Sequence, residues 1–383
     1  MKVLFIASYS GVAGASKSLV TLVKLLRDKG VEPIILLPQS GPLEGMLKEN
    51  DIPYKKMRLF SWVTPINNYS SIKERIKWLF KKYFNSFQEF RISKLVKREC
   101  VDLVHVNAIT IGAGYYAAKN NKKPLIWHIR EFLEEDLGKK FWDKEASLNY
   151  ISKADSIIAI SDSVKNKYSS IFNNEKLVRI YNGIDVKQYS SNSHKIFSRE
   201  QINLTLAGRI VKNKGHEEAI YALKKVLVHG SHNNIKLRFV GEGQKDYVIE
   251  LKKLIKSLNL QEHIEFMGYR KDMKNVWQET DITLVCSKSE AFGRVTIEAM
   301  MAGTLVIGAN TAGTAELISN KNGLVYEQGN YLSLAKKICY ALENKEKMKS
   351  IACRASEYAK NYFSAENNAD NIFDIYNNYI KDV

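Results

Sequence analysis

Short, uninterrupted apolar runs alternate with amphipathic helical stretches along nearly the whole chain, and few folds tolerate that pattern. A strand that is apolar at every position has to be covered on both faces, as in a parallel sheet with helices on either side. Lys2 to Ala7 is such a run. It meets a glycine loop, Ser8 to Gly14, and then a stretch from Ala15 to Arg27 in which Leu19, Leu22, Val23 and Leu26 recur at helical spacing before Gly30. The unit repeats at Pro33 to Leu37, Val101 to Asn107, Pro124 to Ile129 and Asp155 to Ile160. From Gly183 to Gln201 it lapses into Asn-Gly-Ile-Asp and a serine-rich stretch, which reads as a linker. Alternation restarts at Ile202 to Ala207 and continues through Ile235 to Val240, Ile264 to Met267, Asp281 to Cys286, Leu305 to Gly308 and Gly323 to Tyr326. The last stretch carries Ile372, Phe373, Ile375, Tyr376 and Tyr379 at helical spacing. With 383 residues, enough for two cores, the expectation is α/β with two doubly wound domains, 1–187 and 188–364. They face a central cleft, and a terminal helix, about 365–383, packs back on the first.

Ligands of open parallel sheets sit beyond the carboxyl ends of the strands, so the residues just after each apolar run are the candidates for chemistry. Four cysteines, Cys100, Cys286, Cys339 and Cys353, have no Cys-x-x-Cys spacing, which argues against a zinc ribbon, a disulfide scaffold or a redox pair and for a reducing cytosol. No apolar run reaches the roughly 18 residues of a membrane span, and the apolar start is too short for a signal peptide, so a cytoplasmic protein is expected. The net charge of +17 favours an anionic partner: nucleic acid, an anionic membrane or a phosphorylated small molecule.

Three post-strand loops of the second half hold residues suited to a diphosphate. Gly208-Arg209 and Lys214-Gly215 place a guanidinium and an ammonium five residues apart before a helix, although a solvated loop also fits the pair. Gly241-Glu242-Gly243 lacks the third glycine of a dinucleotide fingerprint, since Asp246 stands there, yet still permits a close backbone approach. The most specific spacing is Ser289-Glu290-Ala291-Phe292-Gly293-Arg294-Val295-Thr296-Ile297-Glu298, in which two carboxylates eight residues apart flank a turn whose amides form an anion nest. Carboxylates suit sugar hydroxyls; amide nests suit phosphate.

These residues resemble the retaining nucleotide-sugar glycosyltransferases of family 4, which have the GT-B fold of two Rossmann-like domains. The resemblance rests on Gly11-Val12-Ala13-Gly14-Ala15, Asn182-Gly183-Ile184-Asp185, Ala207-Gly208-Arg209 with Lys214-Gly215, Val240-Gly241-Glu242-Gly243, and the Glu290-x7-Glu298 segment running into Ala299-Met300-Met301-Ala302-Gly303. It implies that Arg209 and Lys214 hold the donor diphosphate, that Glu298 binds the ribose, and that Glu290 with the Phe292, Gly293, Arg294 and Val295 backbone holds the sugar. Gly14, Gly208, Gly241 and Arg270 join the donor site, and His128 in Trp-His-Ile-Arg-Glu touches the donor sugar. His128, Glu290, Arg209 and Lys214 are then the catalytic set. By the same resemblance the acceptor hydroxyl attacks on the leaving-group face and a departing phosphate oxygen takes its proton. No Asp-x-Asp occurs, and His229 and His232 read as a solvated loop, so neither metal nor other cofactor is expected. Thr311-Ala312-Gly313 departs from the family by one glycine, and the roles of Arg130 and Glu131 are open. His105 reads as structural.

Residues 71–99 carry nine Lys and Arg against three acids, with Ile72, Ile76, Leu79, Tyr83, Phe87 and Phe90 on one helical stripe that Trp78, Phe80 and Phe84 widen. That pattern fits a helix lying on an anionic membrane or, equally, a core helix with a solvated basic side. The leading expectation is a retaining hexosyltransferase. It uses a UDP-sugar, or next a GDP-sugar, and a glycan or lipid-linked acceptor, in bacterial surface polysaccharide or glycolipid assembly, with peripheral contact at the inner face of the plasma membrane and no nucleic acid. A GT-B nucleotide-sugar epimerase and a basic nucleic-acid-binding protein are the alternatives.

Overall fold

Which strand lies at the centre of each sheet follows from chain order, and it decides where the loops converge. The computed structural model describes every residue except 70, 191–194, 230–233, 320 and 381–383, together with the side chain of His229. The described chain forms two α/β units, one of Met1–Gly183 with Ala365–Val383 and one of Ile184–Ser364.

In the first unit seven parallel strands take the order Tyr54–Lys56, Glu32–Leu37, Lys2–Ile6, Leu103–Val106, Leu125–Ile129, Ser156–Ala159 and Leu177–Arg179. The chain starts at the middle, winds outward one way, then returns and winds outward the other way. The loops after Lys2–Ile6 and Leu103–Val106 therefore flank the point where strand order reverses. The short edge strands Tyr54–Lys56 and Leu177–Arg179 were not foreseen; with three residues each they carry no readable period. Helix Gly14–Asp28 buries Leu19, Leu22, Val23 and Leu26. The terminal helix Ala365–Ile380 adds Ala369, Ile372 and Tyr376 to the same core as Phe5 and Leu22.

The second unit repeats the layout with six parallel strands: Ile264–Gly268, Ile235–Val240, Ile202–Ala207, Ile282–Val285, Leu305–Ala309 and Leu324–Tyr326. Its core joins Leu204, Leu237, Phe239, Leu284 and Ile307 from the sheet to Leu223, Leu251 and Ile338 from the helices. The stretch read as a linker is corrected at its start, because Ile184 and Tyr189 are buried. Ile184 N–H donates to Phe363 O at 2.9 Å, and Asp185 caps the short helix Val186–Tyr189 through Lys187 N–H. The division of the chain thus falls after Gly183. Residues 191–194 of the same stretch lie outside those described.

Candidate functional site

In the second unit the sheet reverses beside Ile202–Ala207, so the loops after it and after Ile282–Val285 become neighbours. This juxtaposition joins residues far apart in sequence. The Lys214 ammonium pairs with Glu290, whose Oε1 also accepts from Ser287 Oγ at 2.7 Å. Lys288 N–H donates to Asn213 O at 2.9 Å, tying the two loops through the backbone. Where the resemblance assigns Lys214 to phosphate and Glu290 to sugar, the two are each other's partners here, and both remain partly accessible.

Gly208 and Gly241 form the floor of this loop cluster. Gly241 has φ +146°, and a Cβ there would lie 2.0 Å from Gly208 O, so only glycine allows the loops to touch. Arg209 follows on the exposed side, and Arg270 is exposed after the Ile264–Gly268 strand. Gly293 caps helix Arg294–Met301. From its first turn Arg294 reaches Glu298 Oε1 at 3.2 Å, and the Tyr189 hydroxyl bonds the same pair. Phe292 is buried and Val295 half-buried. The loop that lacks a glycine packs on this turn: Gly313 N–H donates to Glu290 O at 2.9 Å, and a Cβ on Gly313 would stand 2.7 Å from that oxygen. Its neighbour Ala312, at the departing position, sits at φ +37°.

In the first unit Gly14 is exposed at the start of its helix, whose N-cap Ala13 offers no side-chain acceptor. His128, at the end of Leu125–Ile129, is fully buried. Its Nδ1 faces Arg130 NH2 at 3.2 Å and His105 Nε2 at 3.3 Å. A guanidinium only donates, so Nδ1 must be an acceptor, and the neutral ring carries its proton on Nε2. His105 Nε2, pointing at the same lone pair, must also donate, which leaves His105 Nδ1 to accept from Tyr376 OH at 2.6 Å. Burial, with the Arg130 charge, holds His128 well below the usual imidazole range and takes His105 down to about 3. The His128 Nε2–H is thus an oriented donor, buried and without a partner.

Arg130, whose role the sequence left open, is held by Asn107 Oδ1 at 2.9 Å and by Asn182 Oδ1. Within Asn182-Gly183-Ile184-Asp185 three residues therefore have functions that spacing did not reveal: Asn182 anchors a guanidinium, Ile184 makes a buried contact and Asp185 caps a helix. Burial pushes Glu131 up to about 7 against the pull of Arg130, while Ile109 N–H donates to it at 3.4 Å. Tyr189 and Asn107 were missed because each meets its charged partner from an element distant in sequence, whereas Ser287 lies only three residues before Glu290 and carries no pattern of its own. His232 and the His229 side chain lie outside the described residues. Among the described residues no group of three or more His, Cys, Asp or Glu is arranged to hold a metal ion.

Helix Ile72–Arg98 departs from the core-helix alternative. Its buried residues are Gln88, Glu89, Ile92, Leu95 and Val96, whereas Ile72, Ile76, Phe80, Tyr83, Phe87 and Phe90 are all more than half exposed. Among the described residues no helix is long and apolar enough to cross a membrane.

Residues 188–360 match the family model of glycosyl transferases group 1, and residues 12–188 that of glycosyltransferase family 4. An uncharacterised glycosyltransferase of Methanocaldococcus jannaschii is 32% identical over 46% of this chain, which spans about half (49%) of that relative's length. The N-acetyl-alpha-D-glucosaminyl L-malate synthase of Bacillus anthracis is 24% identical over 76% of this chain and 78% of its own. The crystal structure of Anabaena HepE in complex with UDP superposes with a TM-score of 0.82 at 22% identity, covering 99% of this chain and all of that one. The two units therefore have the GT-B architecture.

Proposed function

Because the chain belongs to the group 1 glycosyltransferases of family 4, a hexosyltransferase-type class, we propose that it moves a sugar from a nucleotide diphosphate sugar to a hydroxyl of a glycan or lipid-linked acceptor with retention at the anomeric carbon. The reading is carried by the loop cluster of the second unit, where Arg209, the Lys214–Glu290 pair and the Arg294–Glu298 pair lie at the carboxyl ends of parallel strands. Uridine is the favoured base, in keeping with the UDP bound by the similarly folded HepE protein, and guanosine is next. The peripheral membrane contact and a place in surface polysaccharide or glycolipid assembly belong to the same proposal.

Transfer breaks the bond between the anomeric carbon and the diphosphate. Positive charge grows on the sugar while the leaving phosphate takes up the bonding pair. Arg209 and Lys214 meet the negative charge. For Lys214 this means exchanging Glu290 for phosphate, and the freed carboxylate is then available to sugar hydroxyls. Glu298, already aligned by Arg294 and Tyr189, takes the ribose hydroxyls, and Arg270 joins the donor site. His128 Nε2–H donates to a sugar oxygen, and the Gly14 loop leaves room for the phosphate. The acceptor hydroxyl attacks on the face the diphosphate leaves, and a departing oxygen receives its proton. With these cations meeting the charge, no metal is assigned a step.

The test is thermal stabilisation by a panel of nucleotides, followed by release of nucleoside diphosphate from the matching donor. Arg209→Ala should lower kcat by roughly two to three powers of ten, the scale of losing one preorganised donor to a developing oxyanion. A variant that changes KM alone, or a protein that no nucleotide stabilises, would remove the proposal.

A further inference from the structure

Lys214 and Glu290 are held on a fixed frame. On either side of Lys214 the backbone is tied to the segment that leads to Glu290. Asn213 O accepts from Lys288 N–H at 2.9 Å, and Gly215, at φ +74°, lies so close to Cys286 that a Cβ would stand 2.2 Å from the Cys286 oxygen. The Glu290 carbonyl in turn accepts from Gly313 N–H at 2.9 Å. With both backbones anchored, the ion pair forms and breaks by side-chain rotation. Each of the two side chains is 21% exposed, so a ligand reaches both. All of these residues belong to the second unit.

Two donors share Glu290 Oε1: the Lys214 ammonium and the Ser287 hydroxyl at 2.7 Å. Ser287 is buried, and its carbonyl accepts from Thr311 Oγ1 at 3.3 Å. When Lys214 turns to a phosphate, Ser287 keeps its bond and the carboxylate stays in place. The carboxylate then needs a second partner. An intact donor supplies one, because it brings sugar hydroxyls together with the diphosphate. A nucleoside diphosphate whose sugar has gone brings phosphate alone, and Glu290 is left as one anion beside another. Re-forming the pair relieves that repulsion and takes the Lys214 ammonium off the phosphate.

We propose that Glu290 tells donor from product by competing with the diphosphate for Lys214. The competition is suspended while a sugar is attached and resumes once the sugar has been transferred, which speeds release of the nucleoside diphosphate. This inference rests on the transfer reading above and adds product release to the work of the same site.

Dissociation constants and off-rates for UDP and GDP are measured on the full chain and on Glu290→Gln, Lys214→Ala and the double variant. Glu290→Gln should tighten binding of the diphosphate that wild type takes. The tightening should be about fivefold greater with Lys214 present than in the Lys214→Ala background, the scale of an accessible ion pair. It should appear as a slower off-rate. Uridine, which has no phosphate, should bind all four proteins alike and reports that they are folded. Glu290→Asp, whose shorter carboxylate loosens the pair but keeps the charge, should tighten binding by less and replaces Glu290→Gln if that variant does not fold; Lys214→Met replaces Lys214→Ala likewise. Equal tightening in the two backgrounds would make Glu290 a plain repelling charge and overturn the inference. No tightening, or a gain confined to the on-rate, overturns it as well. Wild type that binds neither UDP nor GDP would instead remove the transfer reading itself, so the two failures are distinct.

Discussion

The side chains that decide the chemistry of this chain are set by partners far away in sequence. His128 offers a proton donor only because Arg130 and the His105–Tyr376 pair occupy its other nitrogen. The same burial has a consequence for pH. His105 titrates near 6.5 when unfolded and at about 3 when folded, so between those values the unfolded chain binds the extra proton and stability falls as pH drops. Glu89 and Glu131, raised from 4.5 to about 7, act with the opposite sign, losing stability as pH rises through 4.5–7. The difference between wild type and His105→Gln isolates the first effect. Denaturation at several pH values below 6.5 should show a slope shallower by about 1.4 kcal/mol per pH unit in the variant. Ala312 holds a conformation that favours glycine, at φ +37°. Ala312→Gly should raise stability by about 1 kcal/mol as strain is relieved, less the entropy that glycine adds to the unfolded chain. A fall in the denaturation midpoint would show that Ala312 is unstrained.

At the scale of elements, most strands and helices were legible. Parallel strands covered on both faces are mostly apolar, as Val3 to Ile6 shows directly, and the polar residues inside Ile202–Ala207 and Ile282–Val285, namely Asn203, Thr205 and Thr283, are buried with side-chain hydrogen bonds. The three-residue strands Val63–Pro65 and Lys139–Phe141, which pair antiparallel, escaped for want of length. Helix Ile72–Arg98 shows the limit of patterning. Its amphipathic period was visible, but the period does not say which side meets the core, and here the buried contacts come from its last three turns. The first half is held by contacts at its side, Trp78 stacked on Trp142 and Asn85 exchanging hydrogen bonds with the Phe60 backbone at 2.9 and 2.8 Å, and buries no residue. Amides from 72 to 77, ahead of those contacts, should therefore exchange faster than those from 92 to 96 in water, and slow on anionic vesicles. Equal protection of the two segments in water would contradict the exposed placement.

For the molecule as a whole, each unit has its own core, one around Phe5, Leu22 and Ile372 and the other around Leu204, Phe239 and Ile338. Unfolding should therefore show two transitions, and a nucleotide diphosphate should move only the one belonging to Ile184–Ser364. At about 100 times its Kd the ligand adds about 2.7 kcal/mol, or roughly 5–10 °C for a unit of this size. Hydrogen exchange of peptides from the two cores assigns the transitions; a shift of both together would indicate a single cooperative molecule.

The order of residues by itself determined that strands and helices alternate, that they do so in two series, and which loops end in glycine, cation or carboxylate. Those properties are local, because burial on two faces and the entry to a helix leave a mark within a few residues. Only the tertiary structure decided that Lys214 meets Glu290, that Arg130 is held by Asn182, which nitrogen of His128 bears its proton, and that an aromatic stripe faces water. Each of these depends on where the strand order reverses or on which face of a helix finds a neighbour, and contacts across such distances leave no periodic trace in the chain.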